Sequence, residues 1–167
     1  ALMSPKALER AAKIAASDRY IPEFLSLQIA IDNSRLNQTL NTPAISTLFL
    51  LNEQIQWINQ SGGLAWADAK TKASSNLLYS WADSASFASA FVANPEHRSQ
   101  VVVTIDFDES IDAAEIARVL RVNGVVDVDP YRKLGRNQLR VATFTATEQA
   151  DIEALIACID YVVQELG

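Results

Sequence analysis

The stretch "QVVVTIDFDESIDAAEIARVLRVNG", residues 100–124, limits the possible architecture more than any other. Its first eight residues are rich in β-branched side chains and read as a buried strand. "SIDAAEIARVLRVNG" then reads as a helix of about three turns, closed by Gly124 just past its end. Two further apolar runs, "VVDVD" and "QLRVATF", read as strands joined by a loop. From Thr147 onward, Ile152, Leu155, Ile156, Ile159, Val162, Val163 and Leu166 keep helical spacing. The order β-α-β-β-α predicts a small sheet with helices on one face, an α+β fold.

Upstream the pattern is helical. Ser4 followed by Pro5 is an N-cap with proline at the first helical position, and a helix is expected to about Ala16 with Leu8, Ala11, Ala12 and Ala15 as its apolar stripe. Pro22 biases Ile21 towards extended backbone. Residues 25–40 alternate weakly and then turn polar, which predicts a short strand followed by a loop. Thr42 and Pro43 then read as the cap and first residue of a new helix that closes near Ser61 and Gly62. A second helix over about 64–83 should bury Leu64, Ala67, Leu77, Leu78 and Trp81, giving a helical hairpin. "SASFASAFVANP" reads as a connector. The resulting divisions are residues 1–42, 43–97 and 98–167, with no internal repeat and no low-complexity tract.

Composition excludes several functions. The formal net charge is −6 and the pI about 4.7, a poor match for nucleic acid, where affinity rests on neutralising phosphates with Lys and Arg. No apolar run approaches the roughly 18 residues that a membrane span needs. One histidine, one cysteine and no ligand cluster argue against a metal site. A single cysteine also leaves no internal disulfide, and with no secretory signal at its start the chain reads as cytoplasmic. Cys158, between Leu155 and Ile159, reads as a small core residue. Trp57, Trp66 and Trp81 read as packing, and His97 as a structural or surface residue.

Against that acidic background, "YRKLGRNQLR" packs Arg132, Lys133, Arg136 and Arg140 into residues 131–140. Alternation in the strand puts Arg140 on one face with Ala142 and Phe144. An arginine between Val and Phe is expected to be partly desolvated and to need an anion, for which its planar fork suits a carboxylate. Asp127 or Asp129 on the preceding run could supply one; so could a ligand. The loop cations around Gly135 could cradle a phosphate or simply be a solvated hairpin tip. Similarly, Asn41 and Thr42 of "NQTLNTPA" stand before a proline-started helix, where free N–H groups suit either a phosphate or an ordinary cap.

Together, "NQTLNTPAISTLFLLNEQIQWI", "GGLAWA", "LYSW", "RSQVVVTIDF" and "NGVVDVDPYRKLGRNQLRVATF" resemble the phosphoserine aminotransferase family, pyridoxal-phosphate enzymes of fold type I, over essentially the whole chain. The likeness is strongest to its actinobacterial members. It implies a homodimer that transfers an amino group between L-glutamate and 3-phosphohydroxypyruvate, giving O-phospho-L-serine and 2-oxoglutarate in serine biosynthesis. It also implies that Asn41 and Thr42 reach the pyridoxal 5'-phosphate phosphate of the partner subunit, and that Arg140 clamps the substrate α-carboxylate. Better-known members hold the substrate phosphate with a His-Arg pair in this loop. Here the loop offers Arg132, Lys133 and Arg136, with Arg136 the preferred contact.

The family's Schiff-base lysine has no counterpart among Lys6, Lys13, Lys70, Lys72 and Lys133, and would fall shortly before residue 1. The chain therefore reads as a C-terminal part of such an enzyme, with half a substrate site and no chemistry of its own. Two other readings compete with it: a stand-alone regulatory module that binds an anionic amino acid, and a structural dimerisation domain.

Overall fold

The computed structural model describes residues 1–131 and 133–166. Contacts divide the chain into two compact units, residues 1–55 and 56–167, with the break inside a helix.

In the first unit, helix α1 (Pro5–Ala15) starts as expected: the Ser4 side chain accepts from the Ala7 N–H at 3.2 Å. Residues 23–25 form a 3-10 turn and Leu27–Arg35 a helix, α2, where a strand was expected. Ser26 caps α2 by accepting from the Ile29 N–H, and Gln28 bonds Asp32 one turn on. The alternation in "LSLQIAI" is short enough to fit either period, and capping together with packing against α1 selects the helix. Helix α3 begins at Ile45 rather than at Pro43. Its first bond runs from the Leu48 N–H to the Ala44 carbonyl, so Ala44 rather than Thr42 occupies the cap position. No residue of α3 is buried.

Helix α3 runs to Gln60 in the second unit, and α4 (Gly63–Ser84) follows after a tight turn. Gly62 makes this turn at φ 124°, and a Cβ there would stand 2.9 Å from the Trp66 Cβ. The buried face of α4 is Thr71, Ser74, Ser75, Leu78, Tyr79 and Ala82; Leu64, expected inside, is exposed. Trp57 and Trp66 meet edge to face at 5.2 Å. Trp81 leans on Phe87 and donates to Asp160 at 2.9 Å.

The sheet is antiparallel, in the order β1-β2-β3, from Ala88–Ala90, Val102–Phe107 and Gln138–Ala142. The fold class is the expected α+β, but one strand changes place. The Ser/Ala stretch is not a mere connector: its "ASA" pairs with Ile105–Phe107 as β1. "VVDVD" is not a strand. Asp127 takes φ 63°, which ends the extended run, and the segment meets β3 through one bond, from the Arg140 N–H to the Val128 carbonyl.

Helix α5 (Ala113–Val122) opens with Asp112, whose side chain accepts from the N–H groups of Ala114 and Glu115. It closes on Gly124 at φ 90°, with the Gly124 N–H bonded to Arg121 and the Val125 N–H to Leu120. That is a Schellman ending, with Val125 and Leu120 both in the core region. Helix α6 (Gln149–Leu166) buries Ile152, Leu155, Ile159, Val162 and Val163.

β2 alternates, with Val103, Ile105 and Phe107 facing inward. Leu139 and Val141 join them, and α4, α5 and α6 complete the core. Cys158 is exposed, not part of this core, because it falls off the stripe set by Leu155, Ile159 and Val162. Thr104, Asp106 and Arg140 lie on the opposite face of the sheet.

Candidate functional site

Arg140 lies on that outer face, opposite Thr104 in the β2–β3 ladder. It shares the face with Ala142 and Phe144, as alternation predicts, but it is exposed rather than desolvated. Among the described residues no carboxylate lies within ion-pair distance of it. Its guanidinium instead stands 6.0 Å from the centre of the Tyr131 ring. The expected pairing with Asp127 or Asp129 is not made, because Arg121 at the end of α5 takes that place. Arg121 binds Asp129 at 2.7 Å and, more loosely, Asp127 at 3.7 Å. The hydrogen bond that Arg121 donates to Asp129 raises the Arg121 pKa further, keeping that cation charged.

Arg121, Asp127, Asp129, Pro130 and Arg140 line an open cleft of about 600 Å³. Arg140 thus brings an uncommitted guanidinium to a concave, partly acidic rim. An exposed fork without a carboxylate of its own suits bidentate capture of a small carboxylate.

The loop cations differ from one another. Arg132 lies outside the described residues. Lys133 is exposed and, among the described residues, has no ion-pair partner. Arg136, the preferred phosphate contact from sequence, is bound to Asp106 on β2 through Nε–Oδ1 at 3.2 Å and Nη2–Oδ2 at 2.5 Å. That bond raises the Arg136 pKa.

Asn41 and Thr42 belong to the first unit, and both are exposed. The Asn41 carbonyl accepts from the Thr39 hydroxyl at 2.7 Å. Their side chains make no hydrogen bond among the described residues, which leaves an amide and a hydroxyl available to a phosphate.

Pyridoxal phosphate needs a lysine for its aldehyde, and the lysines here are a poor fit. Lys70 is paired with Glu148 at 2.7 Å and lies over Trp66; Lys72 is paired with Asp68 at 2.7 Å. Lys6, Lys13 and Lys133 are exposed. These residues can offer contacts to the cofactor phosphate but do not themselves form a pyridoxal pocket. Among the described residues there is no group of His, Cys, Asp and Glu fit for a metal, and no helix is long and apolar enough to cross a membrane.

Pattern reasoning missed Asn137. Its Nδ2 donates to the carbonyls of Phe107, Asp108 and Ile111, and its Oδ1 accepts from the Ala113 N–H. One side chain thereby ties the end of β2, the start of α5 and the start of β3 together. An Asn beside a turn is legible in sequence; partners some 24 to 30 residues away are not.

No family model matches this sequence. A protein of Mycolicibacterium vanbaalenii is 62% identical over 99% of this chain and 45% of its own length. Phosphoserine aminotransferase of Rhodococcus opacus is 59% identical over 100% of the chain and 45% of its own length. Among solved structures, a phosphoserine aminotransferase from Bacillus circulans subsp. alkalophilus superposes at a TM-score of 0.79 with 23% identity, covering 95% of this chain and 42% of that one. One from Cytophaga hutchinsonii reaches 0.84 with 19% identity, over 95% and 43%. The chain spans less than half the length of the curated relatives it matches, and aligns with their C-terminal 45%. With the small antiparallel sheet and identity of this order along its whole length, the chain belongs to the phosphoserine aminotransferase family as a C-terminal stretch.

Proposed function

We propose that this chain is the substrate-gripping part of a pyridoxal-phosphate-dependent enzyme. The whole protein moves an amino group between L-glutamate and 3-phosphohydroxypyruvate, giving O-phospho-L-serine and 2-oxoglutarate for serine biosynthesis. The observation that carries this reading is Arg140: a guanidinium at an open cleft that, among the described residues, has no carboxylate within ion-pair distance. Both substrates bear an α-carboxylate, so one arginine fork can serve both halves of the exchange and hold each Cα in the same place. The second anionic group of the phosphorylated substrate falls to the cations of the 131–136 loop, Arg132, Lys133 and Arg136, with Lys133 ahead of Arg136 because Arg136 already has a partner.

The family's cofactor supplies the electron sink for amino transfer when bound. Its lysine comes from elsewhere in the full-length protein, and residues 1–42 belong with that larger domain. Asn41 and Thr42 extend to the cofactor phosphate of a second copy in a homodimer, with residues 43–97 forming the helical hairpin at the junction. By itself this stretch carries out no amino transfer.

Steady-state kinetics of the full-length protein test the reading. Arg140→Leu should raise KM for glutamate and for the phosphorylated keto acid alike, by roughly 10- to 100-fold, the loss of a charged hydrogen-bonded contact of about 1.5–3 kcal/mol. Unchanged values for both substrates would remove Arg140 from the site.

A further inference from the structure

We propose that Asp106 and Gln138 are positioning residues for the substrate loop: they fix Arg136 to the sheet, and Arg136 acts as an anchor of the loop rather than as a ligand of the substrate phosphate. This inference rests on the amino-transfer reading.

Asp106 is the outward residue of β2 that faces Gln138 across the ladder. Its carboxylate receives three donors. Arg136 supplies two, in a fork geometry, and Gln138 Nε2 supplies the third, to Oδ1 at 2.6 Å. Gln138 is only 1% exposed, and its own carbonyl oxygen has no hydrogen-bond partner among the described residues. A buried amide normally satisfies both ends. Here its orientation is dictated by Asp106, which can take only a donor, and the carbonyl is left unmatched as a result. The Arg136 guanidinium also lies 5.0 Å from the centre of the Phe91 ring, next to β1. One cation is thus held by a carboxylate on β2 and a ring beside β1.

The consequence for the loop is geometric. Arg136 and Asn137 form its return leg, directly after Gly135 turns the chain at φ 65°. Both are tied to distant backbone or side chains, whereas Lys133 near the tip has no ion-pair partner among the described residues. At the other end, Tyr131 carries the ring beside the Arg140 guanidinium. Releasing Arg136 would therefore shift the cations of the tip, while Tyr131, on the outgoing leg, keeps its place beside Arg140. Direct phosphate binding by Arg136 is disfavoured by charge: a guanidinium neutralised by a bidentate carboxylate offers a dianion little net attraction.

A double-mutant cycle in the full-length protein decides between anchor and ligand. Asp106→Asn and Arg136→Gln should each raise KM for the phosphorylated keto acid about tenfold, with kcat and the KM for glutamate changed less than about twofold. The double variant should be no worse than either single one. An effect of Arg136→Gln without one of Asp106→Asn would make Arg136 a direct ligand and overturn the proposal. Equal damage to both substrates, or none to either, would overturn it too. Hydrogen exchange of the amides of residues 133–136 gives a readout independent of turnover: protection should fall in both variants, and unchanged protection counts against the anchor. Should the wild-type protein process neither substrate, the amino-transfer reading fails while exchange still tests the anchor.

Discussion

The two compact units treat their apolar residues in opposite ways. In residues 1–55 Ala11 is the one buried hydrophobic side chain among those described, while Phe24, Leu25, Leu36, Ile45, Leu48, Phe49, Leu50 and Leu51 stand exposed. In residues 56–167 a single cluster from Leu78 to Val163 joins three helices and three strands. Local signals are as good in the first unit as in the second: Ser4 and Ser26 cap their helices as Asp112 does. Good caps make a helix start in the right place, but they do not close a core. Helix α3 spreads its exposed apolar residues, Ile45, Leu48, Phe49, Leu50 and Leu51, around its surface rather than in one stripe. The second unit carries its stability within itself.

Substitutions can break that contrast. The largest effect is expected inside the cluster: Ile105→Ala or Ile159→Ala should cost about 3–4 kcal/mol in denaturant unfolding followed by tryptophan fluorescence. Leu48→Ala on this chain should cost less than about 0.5 kcal/mol. An equal cost for Leu48 would mean that α3 is covered, and the contrast would fail. Next in size is Asn137→Ala, which removes contacts to four backbone groups and should cost about 2 kcal/mol; a loss under about 0.5 kcal/mol would show those bonds replaceable by water.

Smaller still is the cap of α5. Asp112→Ala should cost about 1 kcal/mol. Asp112→Asn should recover most of it, because the amide oxygen can accept from the same N–H groups.

The smallest effect concerns pH. Burial pushes the Tyr79 phenol above its ordinary value, against the opposing influence of Arg98 and of the hydrogen bond to the Ser99 carbonyl. A folded-state pKa above the unfolded value, near 10, means that the native state holds its proton more tightly. Stability should therefore be intact below about pH 10 and fall as the pH rises through the folded value. Tyr79→Phe should flatten that fall relative to the wild type; an identical slope in both would place its origin elsewhere.

Much of the second unit was legible from the chain. The β-branched run of β2, the Asp112 and Gly124 signals around α5, and the stripe of α6 are all local or short-period features. The alternation that puts Arg140 on one face with Ala142 was legible as well, though not that this face is exposed at Arg140. Three things were not. Ala88–Ala90 has little strand propensity and becomes β1 only because the open edge of β2 takes it as a partner. "VVDVD" has the propensity but fails as a strand, since Asp127 enters the left-handed region. The partner of Arg136 lies 30 residues upstream, across a ladder whose register no local pattern specifies.

The sequence by itself determined the caps of α1 and α5, the alternation of β2, the stripe of α6 and which cations are grouped in one loop, since all of these follow from the chemistry of near neighbours. Only the tertiary structure decided which of the described cations find a carboxylate. Ion pairing depends on which strands meet and in what register: Arg121 reaches Asp129, Arg136 reaches Asp106, and Arg140 is left facing the cleft.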